Sequence, residues 1–168
     1  MRGIGAALVL LAALGGCTGA PDSGGRRDQE VRISSAALFD PGRFAGRWHV
    51  LESHTPGCAG AVQDWRATGP AAYALTGVDC TGAAPTTLSG RATVTGPGGR
   101  ITPDSGFGRD PVFVLWVDQD YRVAALGTPS GRWGMIVSRS PDGRADLLRA
   151  AREVLAFNGY DLTRLAVR

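Results

Sequence analysis

Eight short runs of alternating residues, separated by Gly, Pro and Asp, constrain this chain more than any other feature. They span 46–55, 61–68, 72–79, 87–95, 100–102, 112–117, 121–127 and 133–138. Side chains alternate across a strand, so a period of two reads as a half-buried β-strand. Several such strands at regular spacing, with turn signals between them, point to an all-β sandwich or barrel. The segments VDQDY (117–121) and TPSGR (128–132) are compact turns that let neighbouring strands run antiparallel. One segment departs from this rhythm. Leu147, Leu148, Ala151, Val154 and Leu155 recur at helical spacing, and Asn158-Gly159 is a plausible helix stop. The spacing therefore predicts one amphipathic helix after the strands, then a short tail over 162–167. No internal repeat and no second domain is visible.

The front of the chain is different in kind. Met1-Arg2 is followed by the apolar run 4–14 and then by Leu14-Gly15-Gly16-Cys17. A charged start, a short apolar core and small residues at a cleavage site make a secretory signal. At about 1.5 Å per residue the run is too short to cross about 30 Å of hydrocarbon. Leu-Gly-Gly-Cys resembles the lipobox of bacterial lipoproteins. That resemblance implies cleavage after residue 16 and acylation of Cys17 with chains such as palmitate. Thr18 follows the cysteine in place of the aspartate that tends to retain such proteins at the inner membrane. The expectation is therefore an outer-membrane anchor with the protein facing the periplasm. Several acyl chains hold a protein far better than one. The stretch 18–32 is rich in Gly, Pro and charge without an apolar period, which reads as a flexible tether. The expected division is 1–16 signal peptide, 17–36 lipidated N-terminus and tether, and 37–168 folded domain.

The net charge is only +3, and all eighteen basic residues are scattered arginines. That argues against a nucleic-acid surface. With Cys17 lipidated, Cys58 and Cys80 remain as an even pair in an oxidising compartment, which predicts a disulfide.

Three separated motifs carry a second resemblance. FDPGRFAGRWHV (39–50) places Gly46-x-Trp48 at the head of the first strand. DQDYRVAALG (118–127) contains the turn with Asp120 and Tyr121. MIVSRSP (135–141) carries Arg139 after the last strand. In this order they resemble the lipocalin family, and the late helix and NGYDLTRL ending resemble its bacterial outer-membrane lipoproteins. The resemblance implies a mainly β fold, an eight-stranded antiparallel up-and-down barrel with one C-terminal helix. Trp48 and Arg139 then close one end of the barrel, indole against guanidinium.

If Trp48 and Arg139 point inward, alternation along their strands turns Val50, Glu52 and His54 inward from one wall and Val137, Met135 and Trp133 from the other. A β-bulge in either strand would reverse part of that set. These six residues are the expected ligand-binding wall, apolar below and more polar at the mouth. Such a pocket suits a small hydrophobic or amphiphilic molecule of the fatty acid or lysophospholipid class. Cys58 and Cys80 lie at strand exits of one end, so their bridge would brace the mouth.

Catalytic chemistry is not signalled. His49 and His54 sit on opposite faces of one strand, and no nucleophile with a base, phosphate loop or metal-ligand spacing appears. No catalytic residue, cofactor or metal is implied. The expected role is envelope lipid handling or storage by a membrane-anchored carrier without enzymatic activity, its protein partners unspecified. A barrel with a filled interior, acting as a protein-interaction module, is the alternative. A cavity enzyme built on Glu52 and His54 is a third reading.

Overall fold

A computed structural model describes residues 25–167. The expected signal peptide and the expected lipidation site at Cys17 lie outside the described residues. Eight antiparallel strands form the barrel: β1 Gly46–Ser53, β2 Val62–Gly69, β3 Ala72–Asp79, β4 Thr86–Val94, β5 Arg100–Pro103, β6 Val112–Val117, β7 Val123–Gly127 and β8 Gly134–Ser138. Each pairs with its sequence neighbour, and β1 pairs with both β8 and β2, so the sheet closes on itself. This is the up-and-down barrel expected. The seam between β1 and β2 runs only from Gly46↔Trp65 to His49↔Val62. Beyond it a two-residue strand, β9 Ala166–Val167, pairs with Glu52 and Ser53. The sequence tail thus returns to cover an edge of β1 that would otherwise expose unpaired backbone.

Two cores follow from the alternation. Inward side chains form the larger one, including Trp48, Val50, Trp65, Tyr73, Leu75, Leu126, Trp133, Met135 and Val137. Outward side chains of β6, β7 and β8 form the second with the helix α2, Ala145–Phe157: Leu115, Val123, Ala125 and Ile136 pack against Ala151, Leu155 and Tyr160. The helix ends as its sequence predicts, with Asn158 as C-cap and Gly159 at φ +86°. Tyr160 fits tightly because β7 ends in glycine: a Cβ on Gly127 would stand 2.3 Å from the Tyr160 hydroxyl. That hydroxyl accepts from the Thr128 N–H (2.8 Å) and donates to the Thr128 carbonyl (2.9 Å).

The expected tether differs from what is observed over its second half. Residues 25–37 dock along the outside of the barrel. Arg26 N–H bonds Gly131 O (2.7 Å), Asp28 N–H bonds Gly159 O (2.8 Å), and Ala36 N–H bonds Val114 O (2.8 Å). Arg27 is buried, and its guanidinium donates to the carbonyls of Asn158, Pro129 and Val31. No apolar period announced this strap because backbone and guanidinium hydrogen bonds hold most of it, with Ile33 and Ala36 alone in this segment packed against the two cores.

Candidate ligand-binding site in the barrel interior

The closed end is built first. A short helix, α1 Pro41–Phe44, is capped by Asp40, whose carboxylate accepts from the N–H groups of Gly42 and Arg43. It delivers Phe44 beneath Trp48, ring centroids 5.0 Å apart, while the Trp48 indole N–H donates to Phe44 O at 2.9 Å. Arg139 lies over the Trp48 ring, its guanidinium carbon 3.8 Å from the centroid. The same guanidinium donates to five backbone carbonyls, those of Arg43, Phe44, Ala45, Arg47 and Tyr121, at 2.9–3.3 Å. Gly46 explains its place in the motif. Its φ is +111°, and a Cβ there would stand 2.9 Å from Arg139 Nη1. The Trp48 and Arg139 pairing read from the sequence is therefore present, with Gly46 making room for it.

The turn between β6 and β7 completes this end. Tyr121, at φ +58°, accepts from the Asp40 N–H at 2.6 Å through its hydroxyl. The sequence reading singled out Asp120, but Asp118 is the anchor. Buried Asp118 accepts from the N–H groups of Asp120, Arg122 and Val123 and from the Arg122 side chain. Burial alone would raise its pKa. The hydrogen bonds outweigh that and hold its carboxyl below the usual range. Asp120 is more exposed and pairs with Arg122 at 3.0 Å.

The interior wall confirms part of the expected geometry and corrects the rest. Val50, Trp133, Met135 and Val137 face inward. Glu52 and His54 do not. The register of β1 against β8 shifts between Val50 and Glu52, so Glu52 stands opposite Ile136, an outward residue. One extra residue, Leu51, reverses every later side chain. Glu52 lies under α2 and is clasped by Arg152, with contacts of 2.6 and 2.8 Å. His54 is buried beside Tyr160, ring centroids 5.6 Å apart, with Nδ1 3.1 Å from Gly134 O and Nε2 2.9 Å from Asp161 O. Burial pulls its pKa below the usual value, against the raising effect of those carbonyls. Ser53 takes the inward place instead and accepts from the Thr55 N–H. The two side chains proposed for a cavity enzyme thus lie outside the barrel wall.

Four aromatics run from the sealed end, where Trp65 and Tyr73 meet Phe44 at 5.2 and 6.4 Å, toward the mouth. Trp65 meets Tyr73 edge-on at 5.5 Å, and Phe107 lies between Trp65 (5.3 Å) and Trp133 (6.0 Å), each ring 0–1% exposed. Phe107 was not foreseen. It comes from the β5–β6 loop, in a 3-10 turn, Phe107–Arg109, where Phe107, Gly108 and Arg109 have φ of 49°, 60° and 60°. The left-handed backbone turns the phenyl ring down through the mouth. Asp79, at the end of β3, fixes it by accepting the Phe107 N–H at 2.7 Å. The nearby Cys58–Cys80 disulfide, expected from sequence, is formed. Trp65 Nε1, Trp133 Nε1 and Gln63 Oε1 are buried with no hydrogen-bond partner among the described residues. The Gln63 amide nitrogen donates to Val78 O at 3.0 Å and lies 3.9 Å from the Met135 sulfur.

No protein-family model matches the chain, and no curated protein does. Solved structures do. Apocrustacyanin C1 is similar at 14% identity, with a TM-score of 0.54, covering 74% of this chain and 76% of that one. Lobster apocrustacyanin A1 is similar at 13% identity, with a TM-score of 0.54 over 75% and 77%. H1 crustacyanin from the lobster Homarus americanus gives 16% identity and a TM-score of 0.52 over 73% and 75%. At such identities the likeness concerns the fold alone. Closed eight-stranded barrel, sealed base and late helix together make it the lipocalin fold.

Proposed function

We propose that this protein is a carrier, without enzymatic activity, of a small lipid-derived hydrophobic or amphiphilic molecule held inside the barrel. One observation carries the reading: three polar atoms, on Gln63, Trp65 and Trp133, have no partner among the described residues in a largely apolar and aromatic interior. Each buried polar group left unpaired costs about 1–3 kcal/mol. A core evolved only for stability would pair or replace them, whereas a site keeps them for its occupant. The closed base, braced by Arg139, supplies the rigid wall such a site needs.

The lipobox-like Leu14 to Cys17 supports anchoring of this carrier in the outer membrane through acylated Cys17, facing the periplasm. The docked strap bears on how it would sit. Arg26 is bonded to Gly131, in the β7–β8 loop at the mouth. Cys17 precedes Gly25 by eight residues (25 − 17). At no more than about 3.6 Å per residue, the mouth would be tethered within about 29 Å of the bilayer. A molecule could then pass between lipid and barrel over a short path.

The second reading, a filled barrel working through its surface, is favoured by the burial of Trp65, Tyr73, Phe107 and Trp133. A titration separates the two. The chain from Thr18 onward, which keeps every described residue, is titrated with N-phenylnaphthylamine, and the emission of the probe and of the tryptophans is followed. The carrier predicts saturable probe binding with quenching of tryptophan, competed by lipid extract. No saturable binding favours the filled barrel.

A further inference from the structure

We propose that Phe107 is a removable plug occupying the ligand's own place, and that the ligand is a neutral apolar molecule whose hydroxyl group enters first, toward Trp65, Trp133 and Gln63. The inference rests on the carrier reading and specifies which molecule the site takes and how it enters.

Phe107 differs from its neighbours in the way it is held. Trp65, Tyr73, Trp133 and Met135 belong to strands or their immediate ends, whereas Phe107 hangs from a loop. Its backbone sits at φ 49°, a left-handed region that carries a steric cost for a residue other than glycine. Arg109, two residues on, is held in the same region at φ 60°. Burial of the ring between two indoles offsets that cost. A ligand that fills the same space lets the loop relax outward, with the Asp79 bond to the Phe107 N–H as the latch to be broken.

The three unpaired atoms specify the group that replaces the ring. Two indole N–H groups need an acceptor, and Gln63 Oε1 needs a donor. A hydroxyl can serve either kind of atom, accepting from an indole N–H or donating to Gln63 Oε1. A carbonyl supplies only the acceptor. An ionised carboxylate is disfavoured for a different reason: among the described residues the one buried arginine is Arg27, and Arg109, on the turn that carries Phe107, is exposed at the mouth and not inside the barrel. The Arg139 guanidinium is already committed to five carbonyls at the opposite, sealed end. Arg27, the buried arginine of the strap, lies outside the barrel against Asn158 and Pro129. Asp79 adds negative charge beside the entry. A buried charge without a partner is strongly penalised. The apolar remainder of the molecule then lies along the mouth, where Leu88 and the disulfide bound the space. This orientation is opposite to the one suited to a pocket apolar below and polar at the mouth, because the polar side chains assigned to the mouth, Glu52 and His54, are on the outer face.

The test uses the chain from Thr18 onward and two probes of equal length, dodecanol and dodecanoate, in competition with N-phenylnaphthylamine at about pH 7. Dodecanol is expected to bind about tenfold or more tightly than dodecanoate. Phe107→Ala should tighten dodecanol binding about tenfold, since the competing ring is gone. Trp133→Phe keeps a ring but removes an indole N–H. It should erase much of the preference for dodecanol over the probe, which carries no hydroxyl. Hydrogen exchange on the wild-type chain gives a readout that needs no variant: the Phe107 N–H should lose protection when dodecanol binds. Dodecanol binding with Phe107 still protected, or with unchanged affinity in Phe107→Ala, overturns the plug. Tighter binding of dodecanoate overturns the neutral hydroxyl. If no probe binds to any form, the carrier reading itself fails.

Discussion

Arg139 is the residue on which most of the sealed end depends. It places one charge over the Trp48 indole and donates to five carbonyls, of which Phe44 O is shared with the Trp48 indole N–H. Removing it takes a donor from each of them and leaves the indole without its cover. Arg139→Ala should lower unfolding free energy by about 3 kcal/mol, read from the urea midpoint. Arg139→Lys should recover less than half of that, since an ammonium is a point charge and cannot span the fork. This pairing was legible in the sequence because Gly46, Trp48 and Arg139 sit in separated motifs whose order fixes their meeting. His54 was not legible in the same way. Its burial on the outer face follows from the extra residue at Leu51, which no alternation pattern reveals. The folded state holds His54 below the ordinary histidine pKa of about 6.5, chiefly through burial. Below that pH the unfolded chain binds the proton more readily, so this contribution to stability is full above it and falls as pH drops. His54→Gln should therefore flatten the decline in urea midpoint from about pH 7 to pH 5. An equally steep decline in the variant would place the titrating group elsewhere.

At the scale of elements, strands and helix were readable from periodicity, and the short connecting pieces were not. The alternation located all eight barrel strands to within a few residues, and the helical spacing of Leu147, Leu148, Ala151 and Leu155 found α2. The strap over 25–37, the two-residue β9 and the inserted Phe107 escaped notice. Each is held by long-range partners: Arg27 by Asn158, Ala166 by Ser53, Phe107 by Trp65 and Trp133. None leaves a local pattern. The bridge between Cys58 and Cys80 is an element-scale brace, joining the end of the β1–β2 connection to the exit of β3. It closes a separation of 22 residues. Replacing both cysteines by alanine should cost about 2–4 kcal/mol in chemical denaturation. The loss should appear without change in the far-ultraviolet circular dichroism of the folded state. A variant as stable as the wild type would mean that the mouth is held by the hydrogen bonds of Thr55 to Cys80 and Gly82 instead.

For the molecule as a whole, the barrel has one sealed end and one end stoppered by its own loop. The base is rigid because a helix, a strand head and Arg139 are locked together. The mouth is closed by a single phenyl ring on a left-handed turn. The asymmetry separates a permanent wall from a removable one, and the same barrel buries the unpaired atoms of Gln63, Trp65 and Trp133. The central claim is that this interior is a site in use. Native mass spectrometry of the protein purified without detergent from a periplasmic expression tests it most directly. The account predicts a bound species of discrete mass, neutral and hydroxylated on fragmentation, released from wild type and retained more strongly by Phe107→Ala. Bare polypeptide in both forms, with no mass added after incubation with membrane lipid extract, would contradict it.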